Sequence, residues 1–334
     1  MCDSFLGIDI SKEKFDVHLF KDEQRWSGEF ENSLKGFKQL SKWVKKRKVG
    51  RLHACMEATG SYGEALAAYL YEQKIKVSVV NPKIIKHYGH SKMQRNKTDK
   101  LDARLIEAYC RKESPRAWEP QPEEQQMLKA MSRRLESLKE NKVREQNRLK
   151  AKAHPPVVEA SIEAAINFYA EQIVALEQQI DQHIDQYPDS LQQAHQLLQS
   201  IKGIGNTSAV SFMAELPDLT LFQSSKQVTA FAGLSPKQLQ SGKMQRKGGI
   251  YKLGSHRLRK ALYFPAMTGK THNPILKAMA QRLESRGITG MPMVAALMRK
   301  MLVLIYGVLK TKQPFDPDFV VNVRAAAAKA QAAA

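Results

Sequence analysis

The first eighty residues change hydrophobic period in an order that few architectures accommodate. Residues 4–10, 14–20 and 25–30 alternate or run apolar as short strands do, and the polar stretches Ser11-Lys12-Glu13-Lys14 and Lys21-Asp22-Glu23 supply turns between them. A helical stretch from about Leu34 to Lys46 follows. After it come an apolar run from Leu52 to Met56 closed by Glu57, a helix from about Tyr62 to Tyr71, and a strand from Val77 to Val80 stopped by Asn81-Pro82. Three strands and then helix, strand, helix, strand point to an α/β domain built on a mixed sheet.

That order is similar to an RNase H-like mixed sheet, and four acids fall where such a sheet carries chemistry. Asp9 stands in the apolar stretch Phe5-Leu6-Gly7-Ile8-Asp9-Ile10, and Glu57 ends its own apolar run just before Ala58-Thr59-Gly60. Asp99 and Asp102 stand three apart where a helix begins, a spacing that puts both on one helix face. Each acid also has an ordinary use, as a turn or cap residue, a salt-bridged strand end, or an acidic first turn that suits the helix dipole. Two strand-end acids and a helical pair together suit a divalent ion, Mg²⁺ or Mn²⁺, and metal-assisted phosphoryl transfer.

Charge says what such a site acts on. The 334-residue chain carries 53 Lys and Arg against 33 Asp and Glu, a formal charge of +20. Between Leu219 and Phe315 seventeen basic residues face one acid, Glu284, so that this segment alone contributes +16. A polyanion is the natural partner. No uncharged apolar run approaches the roughly 18 residues of a membrane span. Met301 to Leu309 is short and bracketed by Arg299, Lys300 and Lys310, so no membrane partner is expected. Cys2, Cys55 and Cys110 form no Cys-x-x-Cys pair, which argues against a disulfide framework or a structural zinc and for a reducing, cytoplasmic setting.

The middle of the chain is helical. Met127, Met131, Leu135 and Leu138 recur at helical spacing before Pro155-Pro156 interrupts, and Ile162, Ile166, Tyr169, Ile173, Leu176, Ile180 and Ile184 then form a near-heptad seam. Two long helices joined at the prolines make an antiparallel hairpin or a coiled-coil arm that pairs subunits into a dimer or tetramer.

A compact helical domain begins near Leu197. Ser200 to Thr207 resembles the hairpin of a helix-hairpin-helix unit, in which Lys202, Gly203 and Gly205 bring backbone amides to phosphate. From Gln238 to Gly249 the chain reads as a polar, glycine-rich basic loop, and a helix from about His256 to Met267 carries Arg257, Arg259 and Lys260. Ser241 lies in that loop within six residues of Lys243, Arg246 and Lys247, cations suited to a phosphorane-like charge. Lys252 follows. Ser235 and Ser255 compete with Ser241 for the role of nucleophile, and Tyr251 with His256-Arg257 is a further alternative. Spacing leaves these open.

Gly7-Ile8-Asp9, Glu57-Ala58-Thr59-Gly60, Asn96-Lys97-Thr98-Asp99, Asp102-Ala103-Arg104, Gly203-Ile204-Gly205, Ala232-Gly233-Leu234-Ser235-Pro236, Ser241-Gly242 and Leu258-Arg259-Lys260-Ala261-Leu262 occur in one order. From about residue 5 to residue 316 this pattern resembles the DEDD insertion-sequence transposases, a family described as bridge-RNA-guided recombinases. The resemblance implies a RuvC-like domain over 1–118, a coiled-coil arm over 119–192 and a transposase domain over 193–322, with a low-complexity tail over 323–334. It also implies that Asp9, Glu57, Asp99 and Asp102 bind metal, that Ser241 links covalently to DNA, and that composite active sites form between subunits. The implied partners are donor and target DNA and a structured guide RNA, in a bacterial, nucleoid-associated setting. Tyr251 departs from the small hydroxyl residue of that pattern. A Holliday-junction-type metal nuclease using water, and a non-enzymatic nucleic-acid-binding protein, remain the alternatives.

Overall fold

The computed structural model describes residues 3–58, 62–91, 99–151, 154–241, 244–251 and 253–318, except for the side chains of 99–101 and 237–248. The chain divides between Pro120 and Gln121 into two compact units.

The first unit is a five-stranded mixed sheet with helices on both faces. In chain order it comprises β1 (Ser4–Ile10), β2 (Lys14–Lys21), β3 (Gln24–Glu31), α1 (Leu34–Lys45), β4 (Leu52–Glu57), α2 (Glu64–Glu72), β5 (Lys76–Val80), α3 (Pro82–Ser91) and α4 (Asp99–Glu113). The strand order is β3-β2-β1-β4-β5, with β1, β2 and β3 antiparallel and β4 and β5 joined parallel to β1. The helical crossovers make the second half parallel, because a strand must return from the same end to pair that way. Strand alternation then sorts the side chains. Leu6, Ile8, Phe15, Val17, Leu19, Ala54, Met56 and Val77 face one way and close a core with Phe37, Leu40 and Val44 of α1 and Leu66 and Leu70 of α2. The opposite face carries Phe5, Cys55 and Val80, packed with Ile85 of α3 and Ile106 and Cys110 of α4.

The second unit is nearly all helix. α5 (Glu123–Ala151) and α6 (Pro156–Asp185) form the long hairpin, broken where Pro155 precedes Pro156. A short π-helical turn (Pro188–Gln192), α7 (Gln193–Gln199), α8 (Asn206–Glu215) and α9 (Ser225–Phe231) follow. Next come β6 (Pro236–Ser241), β7 (Met244–Ile250), α10 (His256–His272), α11 (Pro274–Glu284) and α12 (Gly290–Thr311). The hairpin's inner end belongs to the same core as these helices, through Leu128, Leu135, Ile180 and Ile184. Met127, expected in the seam, is exposed, and Leu128 is buried in its place, three residues before Met131 and in one stripe with Leu135 and Leu138. Further out along α6, Ile162, Ile166, Tyr169, Ile173 and Leu176 are only half-buried.

Two further differences from expectation have local causes. The stretch read as a loop over 238–249 is largely a two-stranded antiparallel hairpin, with Gln240 opposite Gln245 and Ser241 opposite Met244. Its polar residues satisfy one another's backbone across the ladder, so no apolar alternation announces the strands. α10 runs five residues past Met267 with Pro265 inside it, and ends where buried Asn273 accepts the amides of Ile275 and Leu276 to start α11. Among the described residues α12 alone is long and apolar enough to cross a membrane. Its Leu297, Met301, Leu302 and Ile305 are fully buried in the core of this unit.

Candidate active site

Strand register assembles the acids of the first unit. Ile8 of β1 pairs in parallel with Met56 of β4, so Asp9 and Glu57, the next residue of each strand, emerge side by side at the sheet's carboxyl edge. Ile8 and Met56 point into the core under α1 and α2. Alternation therefore turns Asp9 and Glu57 to the other face, where α4 packs. The direction of α4 follows from its contacts. A Cβ at Gly7 would collide with the carbonyl of Ala103 and the backbone of Glu107. Nearer its C-terminus, Cys110 Sγ lies 3.7 Å from the His53 carbonyl oxygen, and Arg111 stacks 4.1 Å over the Phe20 ring, opposite Phe5. α4 thus runs antiparallel to β1, and its first turn, with Asp99 and Asp102, lies toward Asp9. Asp9, Glu57 and Asp102 are half-buried, and the Asp99 side chain lies outside the described residues.

A fifth carboxylate stands beside them. Asp16 of β2 is directly opposite Asp9 in the antiparallel ladder and is buried. Directly opposed like charges destabilise a strand pair unless other groups offset them. Carboxylate oxygens are the donors that Mg²⁺ and Mn²⁺ prefer, so the residue types suit such an ion. Among the described residues no three acids, histidines or cysteines are close enough to hold one. Two titratable neighbours on the same face, Glu107 and His18, are buried. Burial raises the Glu107 carboxyl above its ordinary range, opposed by the Arg111 guanidinium at 3.0 Å. Burial, with Arg104 and Arg25 nearby, lowers His18, whose Nδ1 is 3.0 Å from Ser27 Oγ and whose Nε2 is buried with no hydrogen-bond partner.

In the second unit the basic residues named from the sequence have diverse duties. Gly203, between α7 and α8, adopts φ 108°, and a Cβ there would press on Gly269 and the Pro265 carbonyl. Packing on α10 thus requires this glycine, whereas Gly205 has open space around it. Lys202 is exposed, with its carbonyl 3.3 Å from Asn273 Nδ2. Arg257 pairs with Glu136 of α5, and Lys260 reaches Glu136 at 2.8 Å and Glu140 as well. Those partners raise the Lys260 ammonium. Arg259 turns inward and donates to the carbonyls of Ala232 at 2.8 Å and Gly254 at 3.2 Å, tying the segment after α9 to the start of α10. Ser255 is occupied as the N-cap of α10, accepting from Leu258 N at 3.2 Å. Ser241 ends β6. Its side chain and those of Arg246 and Lys247 lie outside the described residues, as do Lys243 and Lys252 entirely.

Both units fall within sequence families already known. A transposase family model, DEDD_Tnp_IS110, matches residues 6–153, and a second, Transposase IS116/IS110/IS902 family, matches residues 195–281. The chain is 33% identical over 320 residues to the pilin gene-inverting protein of Moraxella bovis, covering 95% of this chain and 98% of that one. This chain is an IS110-family transposase. It is also 25% identical over 284 residues to the transposase for insertion sequence element IS1111A of Coxiella burnetii, covering 77% of this chain and 75% of that one. The transposase acts on DNA, and its DEDD-type domain is of a class that generally uses a divalent metal. In this transposase the first unit gathers Asp9 and Glu57 at one edge with the first turn of α4 directed toward them. Asp16 was missed in the sequence because Phe15-Asp16-Val17-His18 reads as an ordinary half-buried strand. The signal was the tight turn at Ser11–Glu13, which, counted back along both strands, sets Asp16 against Asp9.

Proposed function

We propose that this transposase cuts and rejoins donor and target DNA through a covalent phosphoserine link at Ser241. Asp9, Glu57, Asp99 and Asp102 hold the divalent ion. Its support is the register that puts Asp9 and Glu57 side by side with α4 starting above them. A bound Mg²⁺ or Mn²⁺ supplies Lewis acidity to the scissile phosphate. The Ser241 hydroxyl gives up its proton and attacks phosphorus, a new P–Oγ bond forms, and the bond to the 3′ oxygen breaks and that oxygen is protonated. In the second half, the 3′ hydroxyl of the other strand attacks the phosphoserine phosphorus, a P–O3′ bond forms as the P–Oγ bond breaks, and the proton lost by the 3′ hydroxyl is balanced by the one Ser241 regains. Lys243, Arg246 and Lys247 neutralise the transferring phosphate.

A structured guide RNA selects the two sites. The long acid-poor basic segment and the family resemblance support this part of the reading. The half-covered seam of α6, with Phe168 and Val174 exposed beside it, supports pairing of hairpins into a dimer or tetramer in the bacterial cytoplasm. The test is a denaturing gel of labelled donor and target DNA incubated with protein, Mg²⁺ and RNA transcribed from the flanks of the mobile element. Wild type gives a retarded band that protease removes, and Ser241→Ala gives neither that band nor recombinants. Nicking that persists in Ser241→Ala without an adduct would favour water as the nucleophile. A persistent adduct would move the role to Ser235 or Tyr251.

A further inference from the structure

The first unit carries a second charged feature, on the face of the sheet opposite α4. Helix α1 buries Gly36, Phe37, Leu40 and Val44. Its exposed side carries Lys35, Lys38, Lys42 and Lys45, spaced three, four and three apart, which is one stripe along the helix. Helix α1 contains no acid, and none of the four lysines has a carboxylate partner among the described residues. Some cations elsewhere are matched: Lys14 with Glu29, Arg133 with Glu215, Lys139 with Glu177, Lys270 with Glu284. A helix charged only for solubility mixes signs, because like charges at i,i+3 and i,i+4 repel. Lys35 and Lys38 also sit toward the N-terminal end, where the helix dipole disfavours cations. The stripe is therefore unfavourable in the free protein and is relieved by an anion that runs along it.

The stripe leads to the edge that bears the acids. A groove of about 530 Å³ at the start of α1 is lined by Lys12, Asn32, Leu34, Tyr62 and Tyr69. A second groove, lined by Leu34, Lys35, Lys38, Gln39 and Lys42, continues it along the helix. Asn32 Nδ2 joins the first groove to that edge, at 3.0 Å from the Ser11 carbonyl and 3.1 Å from the Tyr62 carbonyl. Ser11 lies two residues beyond Asp9, and Tyr62 five beyond Glu57. A strand with its phosphate at the acids can continue over the edge and reach α1 without leaving this unit.

We infer that the lysine face of α1 binds the phosphate backbone of the duplex DNA flanking the cut. This rests on the proposed role of the acids. Lys35, Lys38 and Lys42 neutralise successive phosphates without reading bases, and so hold the duplex in register with the site.

The test measures binding of a labelled 30-base-pair duplex to the full chain in chelator across a salt series. Lys35→Ala/Lys38→Ala/Lys42→Ala should lower the slope of log affinity against log salt by roughly 2–3, near 0.9 for each phosphate that is no longer neutralised. Its circular dichroism and melting temperature should not fall, because alanine is the better helix former and the repulsion is gone. An unchanged slope would overturn the inference. So would an equal drop in a control variant, Lys74→Ala/Lys76→Ala/Lys112→Ala, or a loss confined to a labelled RNA hairpin of equal length. Asp102→Asn, measured in parallel, should keep the wild-type slope. If that variant also recombines normally, the acid reading fails while the binding result stands on its own.

Discussion

The two units treat charge in opposite ways. In the first, backbone register crowds carboxylates: Asp16 is set against Asp9 and Glu57 beside it, on a face that also buries Glu107. In the second, cations dominate the sequence, yet several are engaged within the fold. Arg257 and Lys260 meet Glu136, Arg133 meets Glu215, and Arg259 holds two carbonyls. A concentration of like charge at one edge marks a candidate for chemistry or binding. Charge that the fold pairs off serves packing. A tally of basic residues therefore finds a segment and can overlook a short unpaired stripe such as that on α1.

The strongest challenge to this contrast is at the acids. Asp102→Asn should lower recombination by more than about 100-fold, since even outer partners of a metal site are worth roughly 10- to 100-fold. DNA affinity at fixed salt should stay near wild type, because no phosphate-neutralising cation is lost. Normal turnover by Asp102→Asn in Mg²⁺ would reduce the first unit's acids to structural charges.

Backbone crowding gives the next largest effect. Gly7→Ala should destabilise the protein by about 1–3 kcal/mol or more, because its methyl meets Ala103 and Glu107 backbone that cannot step aside. Gly205→Ala, in open space, should change stability by less than about 0.5 kcal/mol. Chemical denaturation of both reads the difference, and equal effects would mean that α4 does not press on β1 as described.

Within the second unit, Arg259→Ala should cost about 1–3 kcal/mol by stranding the carbonyls of Ala232 and Gly254. Arg257→Ala removes an exposed ion pair and should cost under about 1 kcal/mol. The same denaturation series ranks them. If Arg257→Ala weakened DNA binding strongly while leaving stability alone, Glu136 would be a stand-in for phosphate and the pairing would be reversible.

The smallest expected effect is in the pH profile. Glu107 has its carboxyl raised by burial, so the folded state holds a proton that the unfolded state releases. Its contribution is fully present below the unfolded carboxyl range and is lost as pH rises through the folded value. Glu107→Gln should remove that decline, as followed by melting temperature across a pH series. An unchanged profile would mean that the Arg111 pair offsets the burial.

Much of the first unit was legible because its strands are short, apolar and separated by polar turns. Residues 4–10 and 52–57 match the expected strands, with Asp9 and Glu57 at or next to their ends. The strands around Ser241 were not legible, because Lys237-Gln238-Leu239-Gln240 has no apolar face to bury and its ladder is satisfied by backbone alone. Arg259 looked like its neighbours Arg257 and Lys260, since one helical step decides whether a guanidinium faces water or the segment behind it.

Local sequence was enough for the order of strands and helices through residue 80, the break at Pro155-Pro156, the four acids of the family pattern and the basic bias of the C-terminal segment. Those follow from local period, proline geometry and composition, which act over a few residues. Packing alone settled that α4 runs back along β1 so that its first turn meets the carboxyl edge, and which cations are paired. Register and helix direction are settled by packing between residues distant in the chain, and a charge becomes free or bound according to what that packing brings beside it.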